Sequence, residues 1–220
     1  MKDRVHNVNK PFFKYRYHLL ALPLTVAMLA LPGTTEAGQP GTRKTLPNLQ
    51  TAYSGERNAH VRYVAFAQKA DEEGYGEVAS LFRAAARAEE IHQVNHATVI
   101  RGMHAAPRGI VEFPVVKSTR ENLLTAAKAE AYEREIMYPA FIEQAEAEHN
   151  WNATRTFDLA RKAEVQHFNL FTNVLTSLEN GWEISRTYYV CTVCGYTVDE
   201  PVSDHCISCA RPAEKYEVVS

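Results

Sequence analysis

The stretches ARAEEIH at residues 86–92 and RKAEVQH at residues 161–167 contain the same Glu-x-x-His element. Their acid and imidazole positions are Glu89 with His92 and Glu164 with His167. On an α-helix, residues three apart lie on one face about one turn apart, so each pair can direct a carboxylate and an imidazole at one point. Two such pairs facing inward in a helical bundle predict a site for two metal ions.

The likeness between the two stretches extends well beyond the Glu-x-x-His elements. At the offset of 75 residues that separates the glutamates, apolar, small and aromatic residues coincide: Phe82 with Phe157, Ala85 with Ala160, Ala88 with Ala163, Val99 with Val174, Tyr63 with Tyr138, Phe66 with Phe141, and Ala70 with Ala145. Glu73 also coincides with Glu148. The repeat indicates a duplicated helix hairpin.

Long stretches with apolar residues at helical spacing predict four helices, at about 48–73, 77–101, 118–149 and 152–178. The third helix opens with a capping box at Ser118 and Glu121, and the fourth ends at Gly181, a good helix C-cap. Two tight turns and one long connection, 103–117, describe an all-α four-helix bundle with one long crossover. Residues 47–181 are therefore predicted to form a ferritin-like bundle.

A bundle of this type takes further carboxylates from the two remaining helices. Glu56 is the early acid of the first helix, while the third helix offers Glu130, Glu133 and Glu135. Glu130 and Glu133 share one helix face because they are three residues apart, and Glu135 points elsewhere. Oxygen- and nitrogen-rich ligands of this kind suit iron or manganese.

The third helix contains one residue more than the first between matching positions. Glu56 precedes Tyr63 by seven residues, whereas Glu130 precedes Tyr138 by eight. A single-residue insertion in a helix is commonly absorbed as a π-bulge. We therefore predict a π-bulge between Glu130 and Tyr138 that aims Glu133 as an additional ligand.

Other polar residues near the predicted site are open to two interpretations. Tyr63 and Tyr138 either hydrogen-bond to ligand carboxylates or simply pack in the core. His60 and His96 lie one turn beyond Glu56 and His92, and they are interpreted as ordinary helix residues.

The last part of the chain changes to short β-prone segments around four cysteines. Cys191 and Cys194 form one C-x-x-C knuckle, and Cys206 and Cys209 form a second one, with 11 residues between the two knuckles. Four thiolates at this spacing favour a tetrahedral iron or zinc site, and two disulfides are the alternative. A metal would also explain how so small a segment folds. Residues 186–220 are therefore predicted to form a small β-rich metal domain.

The N-terminal residues 1–37 have the pattern of an export signal. Positive charges precede an apolar run at 19–31, and Thr35 and Ala37 form a small-x-small cleavage site. The run is shorter than the roughly 20 residues that span a bilayer. We expect an exported, periplasmic protein with a linker at 38–46 and no stable membrane span after cleavage. An uncleaved membrane anchor and a cytoplasmic chain are the alternatives.

The net charge of −2, without basic or acidic blocks, gives no indication of a nucleic-acid partner.

Together, the predicted sites resemble those of rubrerythrins, in which a ferritin-like di-iron domain precedes a rubredoxin-like Fe(Cys)₄ domain. The resemblance covers roughly residues 46–220 and rests on SGERNAHVRY, AEEIH, AEAYEREIMYP, AEVQH and CTVCGY with CISCARP. It implies the di-iron ligands Glu56, Glu89, His92, Glu130, Glu133, Glu164 and His167. It also implies that Cys191, Cys194, Cys206 and Cys209 hold a single iron.

The resemblance further assigns roles within this set. Glu89 and Glu164 would bridge the irons, while Glu133 and His92 would exchange at one iron as its redox state changes. Two features depart from the family pattern. Family members are usually cytoplasmic, and Ile207 stands where rubredoxin-like knuckles often have proline.

The function implied by the resemblance is reduction of hydrogen peroxide to water, for protection against oxidative stress. An external electron donor would reduce the Fe(Cys)₄ iron, which would pass electrons to the di-iron site. In the family this transfer runs between subunits, which implies a homodimer. Ferritin-like iron oxidation and storage, or a redox or peroxide sensor, are the alternatives, although storage needs no attached cysteine domain.

Overall fold

The computed structural model describes residues 43–220. It contains five α-helices and three β-strands: α1 (Thr45–Glu72), α2 (Gly76–Gly102), α3 (Thr119–Tyr132), α4 (Tyr138–Ala147), α5 (Trp151–Asn180), β1 (Tyr188–Cys191), β2 (Thr197–Val198) and β3 (Tyr216–Val219). The predicted export signal and the first part of the predicted linker lie outside the described residues. Within 43–220, no helix is long and apolar enough to cross a membrane.

The helices form the predicted ferritin-like four-helix bundle. A π-helical turn, Glu133–Met137, joins α3 to α4, so these two helices and the turn make one continuous rod. Together with α1, α2 and α5 this gives four rods, and the crossover between the second and third rods runs from 103 to 118. The capping box at Ser118 is present. Gly181 ends α5 in the left-handed conformation, with φ of 68°.

Glu148 and Glu73, which are equivalent in the repeat, cap the beginnings of the first and third rods in the same way. Glu148 accepts hydrogen bonds from the backbone N–H groups of Lys44 (2.6 Å) and Thr45 (3.3 Å). Glu73 accepts one from the backbone N–H of Thr119 at 2.8 Å. Because Glu148 binds its free N–H groups, α1 begins at Thr45 and includes the last two residues of the predicted linker.

The π-helical turn confirms the predicted bulge between Glu130 and Tyr138. The backbone N–H of Tyr138 donates to the carbonyl of Glu133, five residues earlier, where an α-helix would use the residue four earlier. Pro139 follows directly, and a proline has no N–H and its ring crowds the carbonyl four residues before it. The extra residue is therefore accommodated where normal α-helical bonding is already interrupted.

The cysteine-rich segment forms a three-stranded antiparallel sheet in the order β2-β1-β3 and packs on the bundle. Tyr188 and Val190 of β1 are buried in the same apolar cluster as the residues at one end of the bundle. A second apolar cluster fills the opposite end and includes Tyr138 and Phe157. The buried acids and histidines lie on the same rods as these two clusters.

Candidate metal centres

The four rods bring six of the seven predicted di-iron ligands together in the interior. Each is at most 1% exposed. Their ligand atoms form two groups, within each of which all atoms lie within 4.8 Å of one another. The groups are Glu56, Glu89, His92 and Glu164, and Glu89, Glu130, Glu164 and His167. Because Glu89 and Glu164 belong to both groups, the arrangement has the form of two ion sites that share two carboxylates.

Both imidazoles direct their Nδ1 atoms at the shared carboxylates. The Nδ1 atom of His92 lies 2.8 Å from Glu89 Oε2 and 3.0 Å from Glu164 Oε1. The Nδ1 atom of His167 lies 2.7 Å from Glu164 Oε2 and 3.7 Å from Glu89 Oε1. The i, i+3 spacing within α2 and within α5 produces this convergence.

Several ligand atoms in the two groups have no hydrogen-bond partner among residues 43–220. They are Glu56 Oε2, Glu89 Oε1, Glu130 Oε2, both Glu164 oxygens and His167 Nδ1. Buried polar atoms without partners are costly, and in native proteins they are normally satisfied. Metal ions would satisfy them. Carboxylate oxygens with imidazole nitrogens suit iron, so the residues present fit a di-iron site.

Burial and mutual repulsion hold protons on part of the cluster in the metal-free chain. Burial, followed by the charge of Glu164, raises the pKa of Glu130 to about 7 and that of Glu89 well above its usual range. Burial opposes ionisation of Glu164 too, but the charges of His92 and His167 bring its pKa below the usual range. Metal ions must therefore displace protons when they bind.

Glu133, the seventh predicted ligand, lies outside both groups of converging atoms. Its side chain is 9% exposed, and the π-helical turn begins at this residue. Burial, followed by the charge of Glu56, raises its pKa well above the usual range. His92, rather than Glu133, completes the group that contains Glu56.

The two tyrosines donate hydrogen bonds to carboxylates of the cluster. Tyr63 donates to Glu130, and Tyr138 donates to Glu56. The Tyr63 bond runs from the first rod to the third, and the Tyr138 bond runs from the third rod to the first. Both tyrosines are fully buried. Their hydroxyl groups can therefore orient carboxylates that would bind metal.

Sequence reasoning missed the position of His96. Its spacing predicts an ordinary helix residue, but it is fully buried and its Nε2 atom lies 3.6 Å from Glu56 Oε1. It hydrogen-bonds to Tyr138 on the third rod and to Thr156 on α5. Its mismatch with Phe171, the residue 75 positions later, is a signal in the sequence that could have identified it.

The four cysteine sulfurs form the second centre, and they are not joined as disulfides. The Sγ atoms of Cys191 and Cys209 are 3.7 Å apart, as are those of Cys194 and Cys206. A tetrahedral ion with metal–sulfur bonds of about 2.3 Å would have sulfur–sulfur edges of about 3.8 Å, whereas a disulfide bond measures about 2.05 Å. All four sulfurs lie within 4.8 Å of one another, so the set fits a single iron.

The two knuckles have the same backbone structure. The N–H of Gly195 donates to the carbonyl of Cys191, and the N–H of Ala210 donates to that of Cys206. Both Gly195 (φ 77°) and Ala210 (φ 56°) are in the left-handed region. Hydrogen bonding from Cys194 lowers the pKa of Cys191 to about 5, which favours the thiolate that a metal requires.

The first knuckle and the strand that follows it contact the two ligand histidines of the bundle. The Nε2–H of His92 donates to the carbonyl of Cys194 at 3.0 Å. The Nε2 of His167 lies 3.2 Å from the hydroxyl of Thr197, which itself donates to the carbonyl of Gly195. These contacts place the ring proton on Nε2 and leave Nδ1 available for metal. They occur within one chain, whereas the resemblance leads us to expect them between subunits.

Comparisons with known proteins agree with both centres. The rubrerythrin family model matches residues 47–175. Nigerythrin from Nitratidesulfovibrio vulgaris is 35% identical over 173 residues, which are 78% of this chain and 85% of that protein. Rubrerythrin-2 from Clostridium acetobutylicum is 33% identical over 172 residues, which are 77% of this chain and 93% of that protein.

A solved structure described as the fully reduced, all-ferrous state of nigerythrin superposes with a TM-score of 0.74 at 31% identity. The match covers 84% of this chain and 91% of that chain. A bacterioferritin of Mycobacterium tuberculosis shares the fold, with a TM-score of 0.58 at 18% identity. The chain, with its carboxylate–histidine cluster and its four-cysteine site, belongs to the rubrerythrin family of di-iron proteins.

Proposed function

We propose that this chain is a peroxidase that reduces hydrogen peroxide to water, consuming two electrons and two protons per peroxide. Membership of an oxidoreductase family supports the proposal. The observation that carries it is the contact between Cys194 and His92, because it joins a one-electron centre to a centre suited to two-electron chemistry. An iron-storage protein has no need of that contact.

The bundle residues would hold two irons that, when bound, supply both electrons to the O–O bond. Glu89 and Glu164 would neutralise charge on both ions. Glu56 and Glu130 would each serve one ion, and Tyr138 and Tyr63 would keep these two carboxylates oriented. The apolar surroundings would exclude water from the reacting atoms.

Glu133 and His92 would be alternative ligands of one ion. His92 occupies the group with Glu56 in this structure, and Glu133 is held nearby in a π-helical turn. The raised pKa of Glu133 suits a carboxyl that holds a proton while it is not a ligand. The extra residue of the third rod thus provides a ligand that can arrive and leave.

The four cysteines would hold an iron that, when bound, supplies one-electron transfer, and the backbone of Cys194 would connect this iron with the bundle. The carbonyl of Cys194 and the imidazole of His92 connect a cysteine ligand with a di-iron ligand by one hydrogen bond of 3.0 Å. The external donor is a further protein or cofactor that reduces this iron.

We also propose a homodimer and export through residues 1–37. Mass measurement in solution and N-terminal sequencing of the mature chain test these two points.

The test of the function is peroxide consumption by iron-loaded protein with an artificial electron donor. We expect steady consumption without oxygen release, and about three irons per chain, two in the bundle and one at the cysteines. Cys191→Ser should abolish donor-driven turnover but leave one turnover by chemically reduced protein. Thr192→Ser, at the neighbouring exposed position, is the matched control.

The same measurements separate the alternatives. Tens of irons per chain would indicate storage and would contradict the proposal. Turnover that is far slower than the oxidation of the reduced protein by peroxide would indicate a sensor. Unchanged donor-driven turnover in Cys191→Ser would show that the cysteine iron is not the route.

A further inference from the structure

A continuous line of hydrogen bonds connects the cluster with a groove on the protein surface. The Thr156 hydroxyl lies 3.1 Å from Nδ1 of His96, and Nε2 of His96 lies 3.1 Å from the Tyr138 hydroxyl. Tyr138 donates its hydroxyl proton to Glu56. The line therefore crosses from α5 to α2, then to α4, and ends on α1.

The outer end of the line opens into a groove of about 700 Å³ between α2 and α5. Its lining includes the polar residues Asn95, Thr98, Asn152, Arg155 and Thr156. A space of this size with several hydrogen-bonding groups holds water. Thr156 is 7% exposed, whereas His96 and Tyr138 are fully buried, so Thr156 is the member of the line in reach of that water.

The hydrogen bonds all run in one direction. Tyr138 has one hydroxyl proton and donates it to Glu56, so its oxygen must accept a proton from Nε2 of His96. A neutral imidazole that donates from Nε2 accepts at Nδ1, where the hydroxyl of Thr156 donates. Every donor in the line thus points from the groove towards Glu56.

The internal repeat shows that this polar line is not a requirement of the fold. At the offset of 75, Thr156 corresponds to Leu81, His96 to Phe171 and Tyr138 to Tyr63. Leu81 and Phe171 are fully buried, and the ring of Phe171 packs 5.5 Å from that of Tyr63. Among the described residues no hydrogen-bonded line leaves Tyr63, although Tyr63 holds Glu130 as Tyr138 holds Glu56.

We propose that Thr156, His96 and Tyr138 conduct protons from the groove to Glu56, and this role rests on the proposed peroxidase function. The Thr156 proton moves to Nδ1 of His96, the Nε2 proton moves to Tyr138, and the Tyr138 proton moves to Glu56. Water in the groove replaces the proton of Thr156. One proton enters from the groove, the three residues end neutral, and the proton that arrives at the Glu56 oxygen is passed on to peroxide during its reduction.

The first test follows the ring proton of His96 and does not depend on activity. In zinc-loaded protein with ¹⁵N-labelled histidine, NMR measures exchange of the His96 Nε2 proton with solvent. Thr156→Val should slow this exchange about tenfold or more, because exchange then requires local opening of the structure. Thr156→Ser, which keeps the hydroxyl, should exchange as the parent does. Equal exchange in the Val variant and the parent would overturn the proposal.

The second test measures a single reaction of reduced, iron-loaded protein with peroxide in H₂O and in D₂O. Thr156→Val should lower the rate by about 10²-fold and enlarge the solvent isotope effect, with iron content unchanged. Thr156→Ser should restore the rate. Thr154→Val is the matched control, because the hydroxyl of Thr154 donates to the carbonyl of Asn150, the residue before α5, and is not part of the line.

A double variant uses the repeat as its own control. His96→Phe with Thr156→Leu copies the set that the chain already buries beside Tyr63, so the bundle should fold and bind iron. It should react as slowly as Thr156→Val. If this variant reacts with peroxide as fast as the parent, the hydrogen-bonded line is not the proton route. Absence of peroxide reaction in the parent itself would instead contradict the proposed function, and the exchange measurement would still test the path.

Discussion

Gly195 lies where the cysteine domain packs against His92 of the di-iron cluster, and Gly195→Ala tests that contact. A Cβ atom at this position would lie 2.3 Å from Nε2 and 2.8 Å from Cδ2 of His92, and 3.2 Å from the carbonyl oxygen of Ala88. Non-bonded heavy atoms pack at about 3.5–4.0 Å. The alanine and the hydrogen bond between His92 and Cys194 therefore cannot coexist.

Ala210 and Gly74 allow the free energy of backbone strain at Gly195→Ala to be separated from the free energy of its steric clash with His92. Ala210 occupies the equivalent place of the second knuckle at φ 56° and is exposed, so the knuckle itself accepts an alanine. Gly74 has φ of 83°, and among residues 43–220 nothing lies within 4 Å of its Cβ position. Gly74→Ala therefore incurs backbone strain alone, about 1–2 kcal/mol.

Gly195→Ala should incur the same strain and, in addition, about 1–3 kcal/mol for the forced displacement. With about 2–4 °C per kcal/mol for a chain of this size, its thermal midpoint should fall by several degrees more than that of Gly74→Ala. Electron transfer from the reduced cysteine iron to the oxidised pair, followed by visible absorbance, should also slow in Gly195→Ala only. Equal midpoints and equal transfer rates in the two variants would refute the contact within one chain.

Three further predictions concern the di-iron cluster. Glu130 has a pKa of about 7 in the metal-free fold against 4.5 ordinarily, so its proton favours the folded state. Chemical unfolding of the metal-free protein should show stability falling by about 3 kcal/mol or more as the pH rises from about 4.5 to about 7, because the raised pKa values of Glu89 and Glu133 act in the same direction, and a rise in stability would contradict this. Tyr63→Phe removes the donor to Glu130 and should weaken iron binding about 10–100-fold in a chelator competition, whereas Tyr132→Phe, at a position 53% exposed, should not. Glu89→Gln alters both groups and should remove both bundle irons by metal analysis, whereas Glu56→Gln should retain one; equal losses would show that Glu89 does not bridge.

The fold and most of the cluster were predictable because their signals are local. The i, i+3 spacing of Glu89 and His92 places both on one helix face in any bundle. The extra residue before Tyr138 predicted the π-helical turn, since inserting one residue rotates all later residues by about 100° unless the helix absorbs it. The two C-x-x-C knuckles predicted a four-sulfur site, because cysteines three residues apart can direct their sulfurs at one ion.

His96 could not be placed by such reasoning. Its partners Tyr138 and Thr156 are 42 and 60 residues away in the chain. Helical spacing shows only that His96 shares a face with His92, not which groups meet it across the core. The position of Glu133 depends on tertiary packing in the same way. The sequence predicts the π-bulge, but it does not predict whether Glu133 or His92 completes the ligand group that contains Glu56.

Four rods, two converging Glu-x-x-His pairs, one π-helical turn and one four-sulfur site could be predicted from the sequence alone. Each of these follows from the spacing of residues along one segment or from comparison of the two halves of the repeat, and local backbone geometry then dictates the outcome. Three other features became visible only in the folded chain: Gly195 lies against His92, Cys194 and Thr197 hold the histidine rings, and one half of the repeat contains a polar line. These features depend on packing between segments distant in sequence, and packing complementarity is a property of the assembled core.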